Sequence, residues 1–475
     1  MRTSKLLSAT VLVLFAATAA PGTSARAQQR ELNVTNFIVV GEGLAAGLAD
    51  FSLTSFYQDK NFAVQMARQM KTAFPQPLIQ APGIGSVPGF PALPVRIPGT
   101  QQTTVRESAT APNLFVFNLS VPGFKVTDTL NRKPVSPLVH EYDLQQTVTN
   151  LILGFPGLLL KGAEVWTQLE YARQMRPTFV IVELGYAEVL EAAVKGDPTL
   201  LPDVAAFRAD YGKVLSGLRE TFAEVMALTI PDPMDTAYFA TPEAATTYVG
   251  APASVIRSLY KLSGGDLLTV PGLIAVGNQL GSGVVKPLPP GAVITGSAAS
   301  QITARVKALN SEISSQAQSS GAVVHDLAAL FSRIKSGEIA VGTRQITADY
   351  LVGGFYSLNG SFPGIVGQAL IANDVLATVN KTYGTSFASV NVEALLPVDP
   401  AAANIAPAVR EYTMEELQEM IPNLQELLSS DLPGPSGNES PGAAESGSVR
   451  QSPPRKEPGV SRSNAPKLPV KGDLR

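Results

Sequence analysis

The sequence predicts a three-layer α/β/α sandwich around a central, mostly parallel sheet of five strands, interrupted by helical and loop insertions. Three observations carry this expectation. Short, nearly continuous apolar stretches recur along the chain, as strands buried on both faces require. Stretches of helical periodicity lie between them. The apolar stretches end at Gly41, Asn118, Gly185 and Pro231-Asp232-Pro233, residues that turn a chain out of a sheet.

The expected strands are Asn36 to Val40, Leu114 to Phe117, Thr178 to Leu184, Val225 to Ile230 and Ala322 to Leu327. Between them, Phe207, Tyr211, Val214, Leu218 and Phe222 share one helical face, with Asp203 placed as N-cap. Ile365, Ala369, Ala372, Leu376 and Val379 do the same, and Gly384 is placed to stop that helix. In sheets of this kind ligands bind beyond the carboxyl ends of the strands, so the turns at Gly41, Asn118 and Gly185 are where chemistry is sought.

Three insertions interrupt the pattern. Residues 74–100 are rich in Pro and Gly, residues 127–166 look mostly helical, and residues 235–296 join the fourth strand to the next helix. Long connections at this end of a sheet either roof a site or elaborate the surface. The expected organisation is a leader over 1–27, a domain over 28–396, a helical extension over 397–430 and an unordered tail over 431–475. Within the extension, Thr413 and Glu416 are spaced as a capping box. The tail is Pro, Ser, Gly and charge, too poor in apolar surface to order itself.

Composition excludes several classes. Lys+Arg 36 against Asp+Glu 39 gives a net charge of -3, a balance that does not suggest a nucleic-acid partner. The chain has no cysteine, which removes disulfides, thiol catalysis and thiolate metal sites. It has two histidines, His140 and His325, which argues against a multi-histidine metal centre. No cofactor is implied. Arg2 and Lys5 precede an apolar run from Leu6 to Ala20 and the small-x-small triplet Ala25-Arg26-Ala27, the pattern of a cleaved export signal. The mature chain is expected to begin near Gln28, to carry no transmembrane segment, and to reach the periplasm or the outside of the cell.

The strand-end turns resemble the sequence blocks of the SGNH (GDSL-type) hydrolases, a family with a flavodoxin-like sandwich. Residues 37–50, FIVVGEGLAAGLAD, resemble the first block, a strand followed by Gly-Asp-Ser-Leu. Residues 118–123, NLSVPG, resemble the second, whose glycine helps form an oxyanion hole. Residues 178–197 resemble the third, with core Gly-x-Asn-Asp, and residues 353–383 the fifth, with core Asp-x-x-His-Pro. The blocks stand in family order, and Gly41, Gly47, Gly123, Gly185 and Gly367 are retained.

The resemblance implies a degenerate member. Gly43 stands where the family has its nucleophilic serine, Phe362 where it has the histidine base, Asn359 where it has the orienting aspartate, and Ala187 where it has an asparagine that donates to the oxyanion. Glycine has nothing to attack with, and a phenyl ring accepts no proton. Losing one oxyanion donor typically costs about 2.7–4 kcal/mol of transition-state stabilisation. The backbone N–H groups of Gly43 and Gly123 remain as candidates for a residual hole, the first of them opening a helix. Phe362 either lines a ligand cleft or plugs it and joins the core, and burial of an apolar ring favours the plug.

Other chemistry is conceivable from the same residues. Glu42 and Glu188 replace family aspartates, and two carboxylates at a suitable separation cleave glycosides. In the plainer reading, Glu42 and Glu188 hydrogen-bond nearby backbone and Glu183 pairs with a basic residue. His325 beside Asp326 suggests a dyad, but adjacent strand residues face opposite ways. His140, Ser120, Ser357, Ser361 and Trp166 are expected to be structural. The leading expectation is therefore an exported SGNH-like protein, inactive by the family mechanism, that binds a small-molecule, acyl or glycan ligand or serves as an envelope-associated scaffold. The alternatives are an esterase using a different catalytic set and a carboxylate glycosidase.

Overall fold

Five buried residues, Phe37–Gly41, form β1, whose apolar side chains belong to the main hydrophobic core. The computed structural model describes residues 32–92, 115–403, 413–421 and 425, within one unit spanning Met1–Asn438. The expected leader and the tail over 431–475 lie outside the described residues.

From β1 the chain passes through α1 (Gly43–Ala46), α2 (Ser55–Gln58) and α3 (Phe62–Met70). It continues with α4 (Val126–Asn131), α5 (Leu144–Leu153) and α6 (Gln168–Gln174). Then come β2 (Phe179–Glu183), α7 (Tyr186–Lys195), α8 (Val204–Arg219) and β3 (Glu224–Leu228). The third insertion contains β4 (Phe239–Ala240), α9 (Pro242–Val249), α10 (Ala253–Leu259), β5 (Leu267–Thr269), α11 (Val270–Ser282) and β6 (Val293–Ile294). The core resumes with α12 (Gly296–Ser320), β7 (Val323–His325), α13 (Leu327–Lys335), β8 (Ile339–Val341), β9 (Arg344–Ile346) and α14 (Ile365–Tyr383). Two short helices follow, α15 (Pro400–Ala403) and α16 (Met414–Met420).

The main sheet has the order β1-β2-β3-β7, every pair parallel, with Phe37 opposite Phe179 and Leu228 opposite His325. Helices α3, α13 and α14 pack together, as do α4, α6, α8 and α12, and the two groups flank the sheet. The molecule is thus the α/β sandwich expected. The expected second strand is not one. Of it, Leu114 lies outside the described residues, and the chain after it meets β1 at a single parallel bridge, Val39 to Asn118. The ladder is broken because Phe117 N–H turns away to Pro75 O. The sheet therefore has four strands, with this segment in the fifth place beside β1.

Most helix ends follow their local chemistry. Asp203 Oδ1 accepts from Ala206 N–H at 2.9 Å and starts α8. Gly384 stops α14 in the left-handed conformation at φ 69°. Thr413 and Glu416 form the expected box on α16. Phe222 departs from expectation: α8 ends before it, and it sits at φ 63° with 88% of its surface exposed. Within residues 127–166, α5 and most of α4 account for the helix and the rest is irregular. Residues 235–296 are more than a connection, since β4, β5 and β6 form an antiparallel sheet over their own hydrophobic cluster. Strands of two or three residues leave too little alternation to be read from sequence.

Candidate functional site

Four turns converge beyond the carboxyl ends of β1 and β2. The first is Glu42-Gly43, leading into α1. The second is Leu184-Gly185, leading into α7; Gly185 has φ 111°, and a Cβ there would lie 2.5 Å from Ile230 Cδ1. The third is the segment 118–123 beside β1, and the fourth is the loop 357–363 ahead of α14.

The fourth loop is fastened by Asn359. Its Oδ1 accepts from Ser361 N–H at 2.7 Å and Phe362 N–H at 2.8 Å, and its Nδ2 donates to Asp50 O at 2.6 Å. Asp50 answers by accepting from Leu358 N–H and from the Tyr57 hydroxyl. The Asn359 side chain is therefore fully engaged with backbone, and its donor half is needed to reach a carbonyl.

This loop delivers Phe362 onto Gly43. A Cβ at position 43 would lie 2.6 Å from Phe362 Cε1. Phe362 is 3% exposed and packs edge-on against Tyr186, with ring centroids 5.7 Å apart. The Tyr186 hydroxyl donates to Ser361 O at 2.9 Å. Positions 43, 359 and 362 are thus brought together, and the ring fills the space a side chain on residue 43 would need. Ala187 is half-buried in the first turn of α7. Gly123 is exposed, and Gln145 Oε1 stands 2.8 Å from where its Cβ would be.

The three glutamates each cap a helix other than the one they precede or belong to. Glu42, before α1, accepts from Gly185 N–H at 2.8 Å at the start of α7. Glu183, before α7, accepts from Glu42 N–H at 3.0 Å and Ala45 N–H at 3.1 Å at the start of α1. Glu188, on α7, accepts from Val126 N–H at 2.7 Å at the start of α4, while its Oε2 is buried without a hydrogen-bond partner. Glu183 was expected to pair with a basic residue; it pairs with backbone amides because two helix N-termini already supply positive potential there. Burial raises Glu42 well above the usual carboxylate range, helped by the charges of Glu183 and Glu188. Burial likewise pushes Glu183 up to about 8 and Glu188 to about 7.

Neither histidine enters this region. His325 lies on β7, three strand spacings or about 14 Å from β1. Its Nδ1 is 2.8 Å from Thr378 Oγ1 and its Nε2 3.3 Å from Asp374 Oδ2, while Arg333 grips the other oxygen of that carboxylate, Oδ1, at 2.7 Å. Asp326 turns elsewhere, accepting from the Thr229 hydroxyl and capping α13. His140 Nε2 is 2.9 Å from Val135 O. Ser357 Oγ donates to Phe362 O and accepts from Asp50 N–H; Ser120 and Ser361 have buried hydroxyls without hydrogen-bond partners and no imidazole beside them. Trp166 packs on Tyr171 at 5.4 Å. Among the described residues no cluster of His, Asp and Glu is arranged to hold a metal.

Sequence reasoning missed the amides that hold the turns. Gln168 Nε2 donates to Gly41 O and Leu119 O, both at 2.7 Å, and Gln368 Nε2 donates to Leu44 O. Nothing in their sequence context separates them from surface glutamines. No family model matches the chain, and no curated protein matches it. Among solved structures it is similar to TesA, at 11% identity and a TM-score of 0.30, over 73% of this chain and 98% of that one. It is also similar to phospholipase A1 from Streptomyces albidoflavus NA297, at 14% identity and a TM-score of 0.32, over 74% of this chain and 100% of that one.

Proposed function

We propose that this chain is an exported SGNH-hydrolase-like protein that does not cleave esters by that family's mechanism and acts through binding, as a receptor for a small acyl or glycan ligand or as an envelope-associated scaffold. The reading rests on the ordered sequence blocks and on one observation, the Phe362 ring packed over Gly43. A nucleophile and a base would have to meet at those two positions, and the side chains there offer neither a hydroxyl nor an imidazole. Asn359 supports the reading, because its amide nitrogen is committed to Asp50 O, a bond an aspartate cannot make.

The carboxylate alternative fares less well. Glu42 and Glu188 are 1% and 5% exposed, and their carboxylates face helix N-termini in the interior rather than an open cleft. Export follows from the leader pattern, and N-terminal sequencing of the secreted chain is expected to begin near Gln28.

The direct test restores the set with Gly43→Ser, Asn359→Asp and Phe362→His, adds Ala187→Asn in a second variant, and assays short-chain ester turnover. The expected result is no turnover in the parent and a gain in the restored variants. A parent that already turns over esters at enzymatic rates overturns the proposal.

A further inference from the structure

We propose that a pocket between β4, α9 and the C-terminal end of α13 binds a small zwitterion with an apolar body, of the class of a free valine or leucine. The pocket has a volume of about 210 Å³. None of the turn residues around Gly43 and Phe362 lines it, so it is a site separate from the filled cleft.

The third insertion and the main core build it together. The four buried residues Ala237, Phe239, Ala240 and Ala348 give it an apolar lining. Thr241 accepts from Ala244 N–H at 3.1 Å and starts α9, on which Ala244 and Tyr248 stand one turn apart and share a face. The half-buried rings of Tyr248 and Tyr350 meet edge to face, with centroids 6.0 Å apart. Bonds to residues outside the pocket hold two of these groups. The Tyr350 hydroxyl donates to Leu358 O at 2.8 Å, and Asp349 Oδ2 accepts from the Thr347 hydroxyl at 2.6 Å. The walls are therefore fixed before a ligand arrives, which lowers the cost of binding one.

Two exposed residues add charge of opposite sign, Lys335 at the end of α13 and Asp349 after β9. Among the described residues Lys335 forms no ion pair; the carboxylates whose charges act on it are Asp235 and Asp349. A purely apolar ligand answers neither rim charge, and a ligand with one charge answers only one. A carboxylate toward Lys335 and an ammonium toward Asp349 answer both, while the apolar lining takes the side chain. Size agrees with this class. A cavity of about 150 Å³ takes benzene, so this one takes about eight non-hydrogen atoms. The rim charges stand in water, so each is worth at most about fivefold in affinity, and burial of the side chain supplies the rest.

Amide chemical-shift titration of the full chain tests this with three probes: L-leucine, 4-methylpentanoate, which lacks its amine, and 3-methylbutylamine, which lacks its carboxylate. L-leucine is expected to bind saturably with a Kd in the millimolar range, shifting residues within 237–249 and 347–350. Each single-charge analogue is expected to bind about threefold to fivefold more weakly. In Asp349→Asn the preference for leucine over the carboxylate is expected to vanish, and in Lys335→Met the preference over the amine. Both substitutions are at exposed positions, so the variants are expected to fold. Ala244→Leu, which fills the pocket, is expected to weaken leucine at least tenfold. No saturable shift with leucine up to about 20 mM, shifts confined to other parts of the chain, or analogues that bind wild type as tightly as leucine would each overturn the proposal. So would preferences that survive in both charge variants.

Discussion

Gly43 and Phe362 compete for one volume: the ring edge stands 2.6 Å from where any side chain on residue 43 would begin. Serine at position 43 is therefore expected to destabilise the otherwise unchanged protein by about 1–3 kcal/mol through overpacking. Phe362→Ala is expected to cost about 3–5 kcal/mol through its cavity. The two changes together are expected to cost less than their sum, because the truncated ring leaves room for the serine. Urea unfolding of the four-protein cycle measures the coupling, and simple additivity would show that the two positions do not share space.

Asn359→Asp replaces a donor 2.6 Å from Asp50 O with an acceptor. The loss is expected to be about 1–3 kcal/mol, the cost of leaving a buried acceptor unpaired. Facing a carbonyl, the new carboxyl is expected to hold its proton to higher pH when folded, so the destabilisation is smaller at pH 4 than at pH 8. Unfolding curves at the two pH values check this. A variant as stable as wild type at pH 8 would remove Asn359 from its fastening role.

Much of the fold was legible and much of the site was not, for different physical reasons. The strands at 37–41 and 179–183 are buried on both faces, so their composition alone announces them. Asp203 and Gly384 act locally, within a turn of their own helix, so sequence finds them. Phe222 failed because helical periodicity does not say where a helix stops. The reciprocal caps of Glu42 and Glu183 and the bond of Gln168 to Gly41 join residues more than a hundred positions apart, and no local pattern encodes such partners. The contact of Gly43 with Phe362 was approached only through the order of the blocks.

Asp374 lies between His325 and Arg333. Burial works to raise its pKa, but these two partners hold it below the ordinary carboxylate range. Its contribution to stability is present above the unfolded value and is lost as pH falls through the folded one. Asp374→Asn is accordingly expected to lower stability at pH 6 and to flatten the decline toward pH 3. Thermal unfolding across that range checks it, and an unchanged acid limb would count against the contact.

Leu417 and Ile421, near the C-terminal end of the described residues, are 0% exposed and join the hydrophobic cluster of α9, α10 and α11. Leu417→Ala is expected to cost about 2–5 kcal/mol. It is also expected to raise protease cleavage within residues 242–294 before cleavage of the main sheet. Limited proteolysis followed by mass spectrometry separates the two regions. Cleavage unaltered from wild type would mean that α16 does not brace this small layer.

The most direct measurement is reaction of the folded wild-type protein with a fluorophosphonate probe, read by intact mass, alongside hydrolysis of a short p-nitrophenyl ester. The account predicts no adduct and no turnover above that of the buffer. A stoichiometric adduct on one serine, accompanied by ester turnover, would contradict it.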